Sequence, residues 1–210
     1  MNAQEKFEQL VTHFFKPVFK ENGFRTPAMN FYKDCGEFRK IVQIQKSQFN
    51  SITDLKFTIN IGVFDKLVNE KMSINDKIKT PKPYDCALEK RIGRLLPDEL
   101  DKWYEINFNS SLEKLQSEIE SDLNNFLFPY LNKFETIENV ISEYKNEKDP
   151  YIISKPIDLY YAIHLLNKGE KEKAEPIVVS YYLQWKGNQY WEEKITELLT
   201  EYKITVPNNV

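Results

Sequence analysis

Residues Leu55 to Val63 constrain the fold of this chain more than any other stretch. Leu55, Phe57, Ile59, Ile61 and Val63 fall at every second position, with Lys56, Thr58, Asn60 and Gly62 between them. Successive side chains of a strand point to opposite faces, so this pattern makes one apolar face and one polar or minimal face. Ile41 to Ser47 alternates in the same way, setting Gln43, Gln45 and Ser47 opposite its apolar side. The two segments predict neighbouring antiparallel strands with one face buried and one open.

Helical periodicity flanks this sheet. Phe7, Leu10, Val11, Phe14, Phe15, Val18 and Phe19 form one apolar stripe over residues 3–22, ended by Asn22-Gly23. Pro17 removes a hydrogen bond to the His13 carbonyl and predicts a kink. Further strands are predicted over Phe24 to Tyr32, interrupted at Pro27 and so at an edge, then over 38–47, 54–64, Cys86 to Leu95, and Trp103 to Phe108. Asp34-Cys35-Gly36-Glu37 reads as a turn. Residues 65–85, with Asn75-Asp76 and Pro81-Lys82-Pro83, read as a long irregular excursion. Ser110 and Glu113 match a capping box opening a long helix through Leu112, Leu115, Ile119, Leu123, Phe126 and Leu127, with its last turn disturbed by Pro129.

From residue 135 the pattern is helical, with Asp149-Pro150 setting off a short first helix. Ile157 to Leu166 and Lys171 to Gln184 flank Asn167-Lys168-Gly169-Glu170 and predict a helical hairpin. Its turn region resembles a tetratricopeptide-type hairpin, but one such unit is too few for a solenoid. A last helix carries Trp191, Ile195, Leu198, Leu199 and Tyr202, and Pro207 to Val210 reads as a frayed end. The expectation is an α+β fold. An antiparallel sheet of about five strands is packed by an N-terminal helix and a long helix, and a C-terminal helical region follows. The predicted division is 1–134 for the α+β domain and 135–210 for the helical region.

With 41% hydrophobic and 14% aromatic residues in 210, the chain can fill a core. Net charge is −3, unevenly spread: residues 135–210 hold nine Lys against thirteen Asp and Glu, net −4. That balance favours neither nucleic acid nor an anionic membrane. Two cysteines, Cys35 and Cys86, suit a reducing compartment better than a disulfide scaffold. The polar N-terminus is unlike a secretory signal, and no apolar run is long enough to span a bilayer, so a cytoplasmic location is expected.

Catalytic signatures are scarce. The six glycines form no phosphate-binding loop, and there is no Gly-x-Ser-x-Gly elbow or His-Glu-x-x-His motif. His13 and His164 lie on predicted helices, where a histidine is more often packed or partly exposed than catalytic. Cys35 and Cys86 would need a neighbouring base to act as nucleophiles. Asp98, Glu99 and Asp101 sit in turn chemistry before Trp103, an arrangement that usually means a solvated turn. No cofactor and no metal site are expected. The more informative set is the open sheet face. Parity puts Gln43, Gln45 and Ser47 together, with Thr58 and Asn60 beside them, Arg91 joining from the fourth strand and Trp103 from the fifth. Amides, hydroxyls, a guanidinium and an indole can hydrogen-bond and stack on a ligand or partner. An ordinary solvent-facing surface is the commoner meaning of such a face.

Certain segments carry a resemblance. The helix ends in Glu21-Asn22-Gly23-Phe24. Asn30-Phe31-Tyr32, Val42-Gln43-Ile44-Gln45-Lys46-Ser47, Phe57-Thr58-Ile59-Asn60-Ile61-Gly62-Val63, Arg91-Ile92-Gly93 and Asp101-Lys102-Trp103-Tyr104 follow. Over about residues 4–130 the chain resembles the bacterial domain-of-unknown-function family 4304. The resemblance implies a single α+β domain and a bacterial source, and supplies no established activity. Similar small bacterial domains include immunity proteins encoded beside toxins. The leading functional expectation is therefore a non-enzymatic protein-binding module, an immunity or toxin-neutralising protein, with an unidentified protein partner. A small-ligand binder or enzyme using the polar sheet face is the second reading. Single-stranded nucleic-acid binding, through basic and aromatic residues of the strands, is the third.

Overall fold

A computed structural model of the chain describes residues 1–72, 78, 80–146 and 155–207. Two compact units make up the chain: Met1–Phe64 with Thr80–Thr136, and Asp65–Lys79 with Ile137–Val210. The fold is α+β.

In the first unit, α1 (Ala3–Leu10) opens on a capping box, in which Asn2 Oδ1 accepts from Glu5 N–H and Glu5 accepts from Asn2 N–H, each at 2.9 Å. The helix continues through a π-helical turn (Val11–Phe15) into α2 (Lys16–Glu21). That turn answers the Pro17 problem. Lys16 N–H reaches back to the Val11 carbonyl, five residues away, and the wider turn lets the chain run on through the proline. The same device recurs in the long helix, where α4 (Leu112–Asp122) passes through a π-helical turn (Leu123–Leu127) into α5 (Phe128–Asn132), with Phe128 N–H bonded to Leu123 O just before Pro129. The cap of α4 is Ser111 rather than Ser110. Ser111 Oγ accepts from Lys114 N–H at 3.4 Å, while Ser110 Oγ accepts from Asn107 N–H and closes the preceding turn.

The sheet contains β1 (Asn30–Asp34), β2 (Phe38–Lys46), β3 (Leu55–Asp65), β4 (Leu88–Arg91) and β5 (Tyr104–Ile106). Spatial order is β1-β2-β3-β4, with β5 also on β3. β4 covers Asn60 to Val63 and β5 covers Leu55 to Phe57, so the two short strands share one edge of the longest strand. Sequence reading placed both strands but not this sharing. β1 begins at Asn30, later than Phe24. Pro27 ends in a turn whose carbonyl accepts from Asn30 N–H, and only the Arg25–Tyr32 bridge survives upstream. β4 stops at Arg91 because residues 92–95 turn into a 3₁₀ helix. There Gly93 lies so close to the Leu100–Lys102 backbone that a Cβ would overlap the Leu100 carbonyl oxygen.

Phe31, Phe38, Val42, Ile44, Phe57, Ile59, Ile61, Leu88, Tyr104 and Ile106 fill one face of the sheet and are buried. The helices cover that face with aromatic rings. Phe7 and Phe15 meet Phe57 edge-on at 5.2 and 6.1 Å, and Phe19 stacks on Phe31 at 4.3 Å.

In the second unit the expected irregular excursion opens as a helix, α3 (Lys66–Met72), capped by Asp65, whose Oδ1 accepts from Val68 N–H at 3.1 Å. The part of that excursion around Asn75-Asp76 and the break expected at Asp149-Pro150 lie outside the described residues. α6 (Ile137–Asn146), α7 (Ile157–Asn167), α8 (Lys171–Trp185) and α9 (Gln189–Glu201) follow. α7 ends in a Schellman motif, with Gly169 at φ 79° and bonds from Glu170 N–H to Leu165 O and from Gly169 N–H to Leu166 O. That closes the hairpin read from the sequence.

Candidate functional site

The open face of the sheet gathers most of the residues named from parity. Asn30 and Gln43 are directly opposed on β1 and β2, and Gln43 Nε2 donates to Asn30 Oδ1 at 3.0 Å. Asn60 Nδ2 donates to Gln45 Oε1 at 2.6 Å and more weakly to Gln43 Oε1 at 3.4 Å. These bonds form an amide ladder across three strands. Its cross-strand neighbour is Arg91, paired with Asn60 in the β3–β4 register. Arg91 donates to Asp101 Oδ2 at 2.8 Å, Trp103 Nε1 donates to the same oxygen at 2.9 Å, and the guanidinium lies 5.3 Å from the centre of the indole. Asp101 is thus the hub of this end of the face, a role its position in an acidic turn did not signal.

Two of the named residues do other work. Thr58 shares the parity of Asn60 but is fully buried, and the Lys102 carbonyl accepts from its hydroxyl at 2.8 Å. Ser47 Oγ accepts from Phe49 N–H at 3.2 Å and shapes the β2–β3 loop. The structure therefore brings together Gln43, Gln45, Asn60, Arg91 and Trp103, and adds Asn30 and Asp101. Their carbonyl and carboxylate oxygens largely accept from one another, and Asp101 offsets the charge of Arg91. Such a face can stack and hydrogen-bond.

Stronger polar networks are buried. Asp122 Oδ2 accepts from Tyr104 Oη at 2.6 Å and from Lys102 Nζ at 2.5 Å, while Lys102 also reaches Glu118 at 2.8 Å. Burial, reinforced by the bond to Asp122, pushes the Tyr104 phenol far above its ordinary range. Burial depresses the Lys102 ammonium, but the hydrogen bonds to Asp122 and Glu118 outweigh it and leave a raised pKa. Lys6 on α1 donates to the carbonyls of Asn107, Phe108 and Ser110 at 3.0, 2.7 and 2.8 Å, tying the β5–α4 turn to that helix. Lys40, on the helix-covered face of β2, is buried, and burial holds its ammonium below the usual range.

The second unit holds a buried network of its own. Asp65 Oδ2 accepts from Tyr144 Oη at 2.7 Å and lies 2.6 Å from His164 Nε2. His164 is thus a packed histidine with a carboxylate partner, whereas His13 is exposed on the N-terminal helix. Cys86 is buried against Gly62 and Cys35 is half-buried; neither is in a disulfide, and their thiols donate to the Lys82 and Lys33 carbonyls. Asp98 accepts weakly from Leu100 N–H at 3.5 Å, and the Glu99 carbonyl accepts from Arg94. Among the described residues no group of three or more His, Cys, Asp or Glu could hold a metal ion.

One feature of the first unit carried no sequence motif. Phe49, Ile52 and Phe108 are 86%, 72% and 77% exposed. Ile52 O accepts from Ala3 N–H at 3.3 Å, and Phe108 O accepts from Lys6, so both loops are fastened to α1 one turn apart. The Leu55–Ile106 register brings the β2–β3 loop and the β5–α4 turn to the same end of the sheet. Two large apolar residues in the otherwise polar Ser47 to Asp54 loop were the signal available.

Residues 15–133 match the model of a family described as Domain of unknown function (DUF4304), and the chain belongs to that family. No curated protein and no solved structure matches it. No helix among the described residues is long and apolar enough to cross a membrane.

Proposed function

We propose that this member of the DUF4304 family is a non-enzymatic protein-binding module that acts by covering a surface of its partner. The observation that carries this reading is the exposure of Phe49, Ile52 and Phe108 at one end of the first unit. Exposed apolar side chains held on fastened loops are what a binding surface costs a protein that could otherwise bury or replace them. The same reading makes it a bacterial cytoplasmic protein that neutralises a toxin. Two cysteines outside any disulfide support the compartment, and the acidic balance of residues 135–210 supports a basic target. The test is capture of a stoichiometric partner from native lysate by the intact chain, followed by assay of that partner's activity with and without the chain. A partner whose activity falls on binding supports the role. A chain that captures nothing and remains a lone species refutes it.

A second reading, a small-ligand site on the polar sheet face, draws on the Arg91–Asp101–Trp103 cluster. Quenching of Trp103 emission by a ligand, lost in Asn60→Ala, would favour it. The third, nucleic-acid binding, gains little, because Arg39, Lys56 and Arg91 are each paired with a carboxylate.

A further inference from the structure

From the closed end of the β1–β2 hairpin we infer that Cys35 is a modification site: a nucleophilic thiolate, paired with the buried Lys40 ammonium, that a small hydroperoxide oxidises to a sulfenic acid. This inference goes beyond the protein-binding reading and does not depend on it.

The register fixes the neighbours. Lys33 opposes Lys40, and Asp34 opposes Arg39, across β1 and β2. Cys35 N–H then donates to the Phe38 carbonyl at 2.9 Å, so Cys35 stands opposite Phe38 as the hairpin closes. By alternation Lys33, Cys35, Phe38 and Lys40 share the helix-covered face, while Asp34 and Arg39, ion-paired at 2.8 Å, take the other. Lys40 is therefore the diagonal cross-strand neighbour of Cys35, a separation of about 7–8 Å that a long side chain can bridge.

Lys40 is the unusual member of this group. It is only 6% exposed, yet it makes no hydrogen bond and no ion pair among the described residues. Lys33, by contrast, turns to the end of α2, where its ammonium donates to the Asn22 carbonyl at 3.2 Å. Burial holds the Lys40 ammonium below its usual range. Of the ionisable groups around it, the Cys35 thiol acts on it most strongly and raises it, Lys33 lowers it, and Glu135 raises it least. A buried cation without a carboxylate lacks a counter-ion, and ionising Cys35 supplies one. The same attraction favours the thiolate, which is the nucleophilic form of a cysteine.

The sulfur is also within reach of a small molecule. Cys35 is half-buried, its thiol donating to the Lys33 carbonyl at 3.8 Å, and it adjoins the exposed Gly36-Glu37 turn, where the space beside Gly36 is open. In the oxidation the thiolate sulfur attacks the terminal peroxide oxygen. An S–O bond forms as the O–O bond breaks, and the sulfur gives up two electrons to the peroxide. The leaving oxygen takes a proton from Lys40 and departs as water or an alcohol. Cys86 packs with Ile41 and Tyr32, whose parity places them on the opposite face, so it is no resolving thiol. An external thiol must then reduce the sulfenic acid.

The test follows alkylation of the full chain by iodoacetamide from pH 5 to 10, read at the Cys35 peptide by mass spectrometry, with Cys86 as the internal control. Separate samples receive hydrogen peroxide and dimedone, which traps sulfenic acids. The expected midpoint for Cys35 lies below the ordinary thiol value near 8.5. In Lys40→Met it rises toward that value, and the rate at pH 7 falls several-fold. Dimedone marks Cys35 and spares Cys86. Circular dichroism checks that Lys40→Met is folded; if it is not, the midpoint and the adduct of the unaltered chain decide alone. A midpoint at or above 8.5 in the unaltered chain overturns the inference, as does the absence of a dimedone adduct on Cys35. So does a folded Lys40→Met that changes the plateau rate but not the midpoint, because access and not charge would then govern the thiol.

Discussion

Replacing Asp65 by Ala tests the buried network of the second unit. The carboxylate side chain is wholly buried and serves three groups: the Val68 N–H, the Tyr144 hydroxyl and the His164 ring. Alanine removes the cap of α3, worth about 1 kcal/mol. It also leaves two buried polar groups without their acceptor, at about 1–3 kcal/mol each. Water entering the vacated space offsets part of this, so the net loss is about 4 kcal/mol. With a urea slope of roughly 1–2 kcal/mol/M, the unfolding midpoint falls by about 2–4 M. Trp185 and Trp191 report on this unit, and a Trp103→Phe background removes the signal of the other. Asp65→Asn keeps one acceptor oxygen and should lose about half as much. A loss below about 1 kcal/mol for Asp65→Ala, or equal losses for Ala and Asn, refutes the argument that this carboxylate organises the unit.

Other predictions follow from the first unit. Lys6→Met should destabilise by about 2–3 kcal/mol in chemical denaturation, because three carbonyls lose a shared cationic donor. Lys40→Met should be neutral or raise Tm, because the burial that depresses the Lys40 ammonium opposes its charge; a marked loss would show that Lys40 is well paired. Gly93→Ala should cost more than 3 kcal/mol, the shift being forced on backbone and not on a flexible side chain, whereas Gly36→Ala meets no atom within 4 Å and pays only for its positive φ. Tyr104 sets an alkaline limit. Its folded pKa is raised by burial and by Asp122, so its contribution is complete below the unfolded value near pH 10 and is lost as pH rises above it, at about 1.4 kcal/mol per pH unit. Tyr104→Phe should flatten the fall in stability between pH 10 and 12.

Much of the site geometry was open to parity. Gln43, Gln45, Asn60, Arg91 and Trp103 do share a face, because side-chain alternation is a property of the strand itself. Parity failed at Thr58, which is buried with its hydroxyl on the Lys102 carbonyl, and the capping box was misplaced by one residue at Ser110 because the choice between adjacent serines depends on which hydroxyl the preceding turn captures. Helix α3 was missed since seven residues with three apolar positions give too short a period to read.

By itself the sequence determined the elements that arise from local rules: strands from alternation, helices from a 3.6-residue period, the α7–α8 turn from a glycine suited to positive φ. It also determined the family. Tertiary structure alone decided the convergences. Asp65 meets residues 79 and 99 positions away. β4 and β5 divide one edge of β3. Asp101 joins a guanidinium to an indole, and α1 holds two loops so that Ile52 and Phe108 stand out together. Each of these depends on which distant segments the core brings within hydrogen-bonding range. No local spacing records that, because backbone propensity acts over a few residues while packing acts over the whole core.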